Sequence, residues 1–287
     1  MRKSILDLVS MKRQGKRIAM LTCYDYTMAR LLDASGVDAI LVGDSLGCVM
    51  LGYPDTLPVT VDDMIHHARA VVRGCQQALV VVDMPFMSYQ ISVADAVANA
   101  GRLLKETGAQ AVKLEGGAHV VPQIRAIVEA GIPVQAHVGM TPQSVNALGG
   151  FKVQGKGEEA AGRLLADALA VEQAGAFSVV LECVPPKLAA LASRTLHIPT
   201  IGIGAGAGCD GQVLVSHDML GMFTDFTPRF VKRFAEAGET MRTAFKAYVE
   251  EVRTGTFPTG AHTFANADCD DETLTRLERA CHDTVPE

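Results

Sequence analysis

The sequence contains no tryptophan, and aromatic residues make up only 5% of its 287 positions. Stacking platforms for single-stranded nucleic acid are therefore not expected. Basic residues are also too few and too scattered to form a footprint for DNA or RNA: 26 Lys and Arg stand against 32 Asp and Glu, a formal net charge of -6. No uncharged apolar run approaches the roughly 18 residues that span a bilayer, so no membrane is expected. The opening stretch MRKSILDLVSMKRQGKR superficially resembles a signal peptide, but Asp7 and Lys12 interrupt any apolar core and no small-residue cleavage site follows. The seven cysteines (Cys23, Cys48, Cys75, Cys183, Cys209, Cys269 and Cys281) are odd in number and include no CxxC or CxxH spacing. Neither a disulfide framework nor a zinc site is indicated, and reduced thiols in the cytoplasm are the simple reading.

What is present is an ordinary globular composition, 48% apolar and 20% charged, on a chain long enough for one barrel-sized domain or two smaller ones. Short apolar runs alternate with longer helical patterns. The runs cover 18–25, 39–45, 78–86, 111–117, 133–139, 177–184, 200–206 and 212–218. They are continuously apolar rather than alternating, as strands buried on both faces of a parallel sheet are. Thr60 opens a helix with acidic residues in its first turn and Gly74 at its end; Ser92 opens another that Gly108 closes; a third covers about 158–175. Eight strand candidates in βα alternation suit a (β/α)8 TIM barrel, a single-domain α/β fold, better than an open doubly wound sheet of about five or six strands. The glycine-containing loop 141–157 after the fifth strand is long enough to suggest a lid or substrate clamp.

Barrel enzymes work at the C-terminal ends of their strands. Here those ends carry Asp44-Ser45, Asp83, Lys113 with Glu115, His137 and Glu182 in successive strands. Ionisable groups closing apolar runs are costly unless they meet partners, and closure of the barrel would gather them at one mouth. Two aspartates and a glutamate form a hard-oxygen set suited to Mg²⁺ rather than zinc. A 2-keto acid would complement such an ion, with Lys113 and Ser45 contacting its carboxylate, Glu182 free as general base and His137 orienting. Simpler roles exist for each residue alone. A strand-end Asp often caps the next helix, Lys113 could pair with Glu115 two residues away, and His137 could be a core residue. His66 and His67 read as surface or packing residues, and Met84, Met87 and Met140 as wall residues. The glycine run 202–208 could cradle a phosphate, permit tight packing or allow close approach of another ligand.

The strings TCYDY, LVGDSLG, TLPVT, DMPFMSY, VKLEGG, HVGMTPQSVN, GGFKVQG, LECVP, IGIGAG and DGQVLVSHD, in this order from about residue 4 to residue 262, resemble the ketopantoate hydroxymethyltransferase family. The resemblance implies a barrel assembled as a homo-decamer. It also implies transfer of a hydroxymethyl group from 5,10-methylenetetrahydrofolate to 3-methyl-2-oxobutanoate, yielding 2-dehydropantoate for pantothenate and coenzyme A synthesis. By resemblance, Asp44 and Asp83 are Mg²⁺ ligands with Glu115 as a further site carboxylate. Asp44, Ser45, Asp83 and Lys113 contact the keto acid, Glu182 accepts the proton, and His137 is a site histidine. Cys23 and Cys209 depart from the expected pattern. Residues 1–262 are expected to form the catalytic barrel and 263–287 a tail or appended helix. Rival readings are another Mg²⁺ barrel acting on pyruvate or phosphoenolpyruvate units, separable by folate dependence, and a non-catalytic barrel that senses a keto acid.

Overall fold

The computed structural model describes residues 2–264 and 269–282. Eight parallel strands close in sequence order: β1 (Ile18–Thr22), β2 (Ala39–Val42), β3 (Leu79–Asp83), β4 (Ala111–Glu115), β5 (Val134–Gly139), β6 (Ser178–Glu182), β7 (Thr200–Ile203) and β8 (Gly211–Leu214), which pairs back onto β1. The fold is the (β/α)8 barrel that the eight apolar runs imply. Most runs overreach their strands by a few residues because the chain turns as soon as the ladder ends. Asp25 does not extend β1; it caps the helix Tyr26–Ala34, accepting from the Met28 amide at 2.8 Å. Asp218 likewise lies in a short helix, Ser216–Met219, rather than in β8.

Alternation along each strand divides the apolar residues between two cores. In β3, Leu79 and Val81 face the barrel interior with Leu41, Ala111 and Val180, while Val80 and Val82 face the helical layer with Leu114 and Leu181. The same parity sends Lys113 and Glu115 of β4 inward after Ala111. The interior is thus apolar low in the barrel and ionisable at the mouth. At the lower end, Leu8 of the helix Ile5–Arg13 is fully buried in the interior cluster, and Lys12 of that helix reaches Asp210 at 2.8 Å.

The surrounding helices begin and end where the caps dictate. Thr60 and Asp63 form a capping box for Val61–Gly74, and Ser92 caps Val93–Thr107, which Gly108 ends in the left-handed region at φ 79°. The link from β7 to β8 is different: residues 204–210 contain no helix. A Cβ on Gly206 would come within 2.7 Å of Pro186, and one on Gly208 within 2.6 Å of Ala190. At these two positions the glycine run therefore permits tight packing on the helix Pro186–Thr195.

The chain divides into two compact units, one of residues 1–236 and the other beginning at Ala237. The second contains the helices Ala237–Thr254 and Asp271–His282. On the first of these, Phe245, Tyr248, Val249 and Val252 are exposed at helical spacing. Of the expected C-terminal segment 263–287, residues 265–268 and 283–287 lie outside the described part. Among the described residues no helix is long and apolar enough to cross a membrane.

Candidate active site

Strand register brings the ionisable residues together. Asp83 is the register partner of Lys113, Glu115 of His137, and Gly139 of Glu182. Lys113 Nζ lies 2.5 Å from Asp83 Oδ1, so its ion-pair partner is on the adjacent strand and not Glu115. The other Asp83 oxygen, Oδ2, accepts the backbone N–H of Asp44 at 3.1 Å. Beside Asp44, the Ser45 hydroxyl meets the Tyr24 hydroxyl at 2.9 Å. His137 stands between two carboxylates, with Nδ1 3.6 Å from Glu115 and Nε2 3.4 Å from Glu182. Neither ring nitrogen completes a hydrogen bond in this geometry. Asp44, Ser45, Asp83, Lys113, Glu115, His137 and Glu182 therefore form one connected set. Asp44, Asp83, Lys113, Glu115 and His137 are buried, whereas the Glu182 side chain retains 15% exposure.

Gln143 completes the set, and charge-based reading of the sequence gave it no role. It sits in the first turn of the loop after β5. Its Nε2 donates to Asp44 Oδ2 at 2.8 Å and to the Met84 carbonyl at 2.9 Å. Its Oε1 accepts from the Tyr89 hydroxyl at 2.7 Å, and its backbone N–H donates to Glu115 Oε2 at 3.0 Å. The available signal was positional: Gln143 falls in the 141–157 loop, and Tyr24 and Tyr89 fall in the strings TCYDY and DMPFMSY. His66 is exposed, while His67 is half-buried and donates from Nδ1 to the Tyr24 carbonyl at 2.7 Å. Met84 and Met140 are buried wall residues, whereas Met87 is exposed.

The electrostatics are those of too many carboxylates for one ammonium. Burial, then repulsion from Asp83, pushes the Asp44 carboxyl up to about 7. Burial and the Asp44 charge push Glu115 well above the carboxylate range. Burial opposes the charge on Lys113, but Asp83, Glu115 and Asp44 outweigh it and raise its pKa. Burial and then the Lys113 charge lower the His137 pKa, favouring a neutral ring.

Two backbone features aim Glu182. Cys183, immediately after it, adopts the left-handed region at φ 49°, which costs a non-glycine residue on the order of 1 kcal/mol. The Cys183 carbonyl accepts the Gln154 N–H at 3.0 Å, tying the long loop to this turn. Across the ladder, Gly139 sits at φ 101°, and a Cβ there would lie 2.3 Å from the Glu182 carbonyl oxygen.

Asp44 and Asp83 are the residues that could hold a small hard cation: both are buried carboxylates, and the Asp44 backbone N–H donates to Asp83. Among the described residues there is no group of three or more His, Cys, Asp or Glu disposed to hold a metal. Glu115, the third carboxylate of the expected set, directs its oxygens toward the Gln143 amide and His137.

Fold and site together define a (β/α)8 barrel with a buried carboxylate–lysine–histidine cluster at the end where barrel enzymes carry their chemistry. Solved barrels of this shape include phosphonopyruvate hydrolase (TM-score 0.61, 12% identity, covering 98% of this chain and 96% of that one). Another is 2,3-dimethylmalate lyase, a PEP mutase/isocitrate lyase superfamily member (TM-score 0.59, 16% identity, 98% and 100% covered). At such identities the likeness shows the fold alone. The chain belongs to the ketopantoate hydroxymethyltransferase family, whose model matches residues 2–260. It is 63% identical over 264 residues to the 3-methyl-2-oxobutanoate hydroxymethyltransferase of Clostridium novyi (strain NT), covering 92% of this chain and 96% of that protein. It is 60% identical over 268 residues to the enzyme of the same name from Enterococcus faecalis (strain ATCC 700802 / V583), covering 93% and 98%.

Proposed function

We propose that this protein transfers a hydroxymethyl group from 5,10-methylenetetrahydrofolate to 3-methyl-2-oxobutanoate, forming 2-dehydropantoate for pantothenate and coenzyme A synthesis. The observation that carries the reading is the meeting of Asp44, Asp83 and Lys113 with Glu182 at one barrel mouth, in a chain of this family. We take residues 1–262 as the catalytic part, in keeping with a family match that ends at residue 260. A cytoplasmic homo-decamer belongs to the same reading, on family resemblance.

The residues fit a magnesium ion. Three buried carboxylates, those of Asp44, Asp83 and Glu115, act on the one ammonium of Lys113, and Glu182 stands beside His137, so the site offers more hard oxygen donors than Lys113 alone engages. Mg²⁺ commonly takes one or two carboxylates and fills its other positions with water and substrate, so Asp44 and Asp83 suffice as protein ligands. When bound, the ion would supply Lewis-acid polarisation of the ketone, worth several kcal/mol.

The remaining steps fall to the chain's own side chains. Lys113, anchored by Asp83, keeps further N–H donors for the substrate carboxylate. The Ser45 hydroxyl, held by Tyr24, offers another. Glu182 takes the proton from C3 of the keto acid, and the electron pair left on C3 forms the new bond to the one-carbon unit. That unit's bonds to the two folate nitrogens break, water supplies the hydroxyl, and tetrahydrofolate leaves with the C3 proton and one water proton on those nitrogens. Neutral His137, its Nε2 3.4 Å from Glu182, lines the base without adding charge.

Solvent deuterium exchange at C3 of 3-methyl-2-oxobutanoate, followed by proton NMR without folate, tests this chemistry. Asp83→Ala and Glu182→Gln should slow exchange by about 10²-fold or more. Undiminished exchange in Asp83→Ala would remove the metal assignment. Product formation should also require methylenetetrahydrofolate, unlike that of a pyruvate lyase or mutase.

A further inference from the structure

We infer that Gln143 is a positioning residue. Its side-chain amide fixes which oxygen of Asp44 faces the protein and which is left for a cation, and it ties the first turn of the 141–157 loop to that choice. The inference rests on the function proposed above.

The orientation of the amide is determined by its neighbours. The Met84 carbonyl can only accept, so the group facing it must be the NH₂ of Gln143. The same nitrogen lies 2.8 Å from Asp44 Oδ2 and spends its second hydrogen there. Oε1 is then left to accept, and the Tyr89 hydroxyl meets it at 2.7 Å, with Gln90 Nε2 at 3.3 Å. The Tyr89 oxygen in turn accepts the Glu115 N–H at 3.2 Å. Every polar atom of the Gln143 side chain is thus committed, and the residue is only 5% exposed. An amide with both ends assigned in a buried site does not rotate freely, because any flip leaves two acceptors facing each other.

Three strand ends therefore meet at one neutral residue, two through its side-chain amide and Glu115 through its backbone N–H. Asp44 follows β2, Met84 follows β3 and Glu115 ends β4, while Gln143 itself belongs to the loop after β5. Glutamine suits this role because it donates without adding charge to a cluster already short of positive charge. A lysine in its place would offer the carboxylates an ammonium that competes with a cation, and a glutamate would add a fifth carboxyl group.

The test uses the full chain. Gln143→Met keeps similar volume without polar atoms, and Gln143→Glu keeps the shape but turns the donor into an acceptor. Mg²⁺ binding is measured by calorimetry with magnesium chloride, alone and with 3-methyl-2-oxobutanoate, and folding by circular dichroism. Both variants should weaken Mg²⁺ binding at least tenfold. They should also raise the keto-acid concentration for half-maximal deuterium exchange more than they lower the maximal rate. A purely structural role would lower melting temperature and leave Mg²⁺ affinity and that split unchanged. Binding within twofold of wild type in either folded variant overturns the inference. If both variants fail to fold, Tyr89→Phe, which removes only the hydroxyl anchoring Oε1, must weaken Mg²⁺ binding about threefold, and unchanged binding there is equally fatal. Absence of Mg²⁺ binding and exchange in the wild type would instead overturn the proposed function.

Discussion

Lys113 and Asp83 are register partners on adjacent strands, and their side chains meet at 2.5 Å with both almost fully buried. Removing one partner leaves a charge without compensation in the barrel interior. Lys113→Met should therefore lower unfolding free energy by about 3–5 kcal/mol, measured by urea denaturation. Replacing both residues with apolar ones of similar volume should restore much of that stability while leaving the protein inactive. A single variant as stable as wild type would show that the Lys113 charge is not needed to compensate its buried carboxylate neighbours.

The Asp44 carboxyl, ordinarily at 3.8, is raised to about 7 by burial and by Asp83. Between these values the folded state binds more protons than the unfolded chain. The metal-free protein should therefore lose stability as pH rises from about 4 to 7, by at most about 1.4 kcal/mol per pH unit for one proton. Glu115, also raised, acts in the same direction. Asp44→Asn should flatten the slope in denaturant titrations at pH 5 and pH 7.5. Parallel slopes for wild type and variant would contradict the assignment.

Addition of Mg²⁺ after chelator treatment should raise the melting temperature of the wild type. At a hundredfold excess over the dissociation constant, one site contributes about 2.7 kcal/mol. Asp44→Ala and Asp83→Ala should show little rise. An equal rise in Asp83→Ala would place the ion elsewhere.

Gly139→Ala should damage function from outside the ionisable set. The added Cβ would press on the Glu182 carbonyl oxygen at 2.3 Å, at a backbone φ of 101°. We expect a stability loss of about 1–3 kcal/mol and, because misplacement of about 1 Å can cost 10²-fold, at least tenfold slower deuterium exchange. Exchange at the wild-type rate would show that Glu182 is not aimed by this contact.

Much of this architecture was legible because apolar runs, caps and glycine stops recur with the barrel's own period. Asp44, Asp83, Lys113 and Glu115 were visible because an ionisable residue closing an apolar strand is conspicuous. The partner of Lys113 was not visible. Alternation within β4 pointed to Glu115, whereas the actual pairing with Asp83 depends on cross-strand register, which one strand's sequence does not encode. Gln143 was missed for a related reason. An uncharged amide in a loop looks ordinary until three strand ends are seen to converge on it. The glycine run 202–208 had three readings, and Pro186 and Ala190, which lie earlier in the chain, decide for packing at Gly206 and Gly208.

The bare link between β7 and β8 has a further consequence. With no helix in residues 204–210, no helix amino terminus opens at that corner of the mouth to receive a dianion. Gripping phosphorylated substrates at this corner would call for an inserted segment, since a side chain added at Gly206 or Gly208 would drive the link off its neighbouring helix.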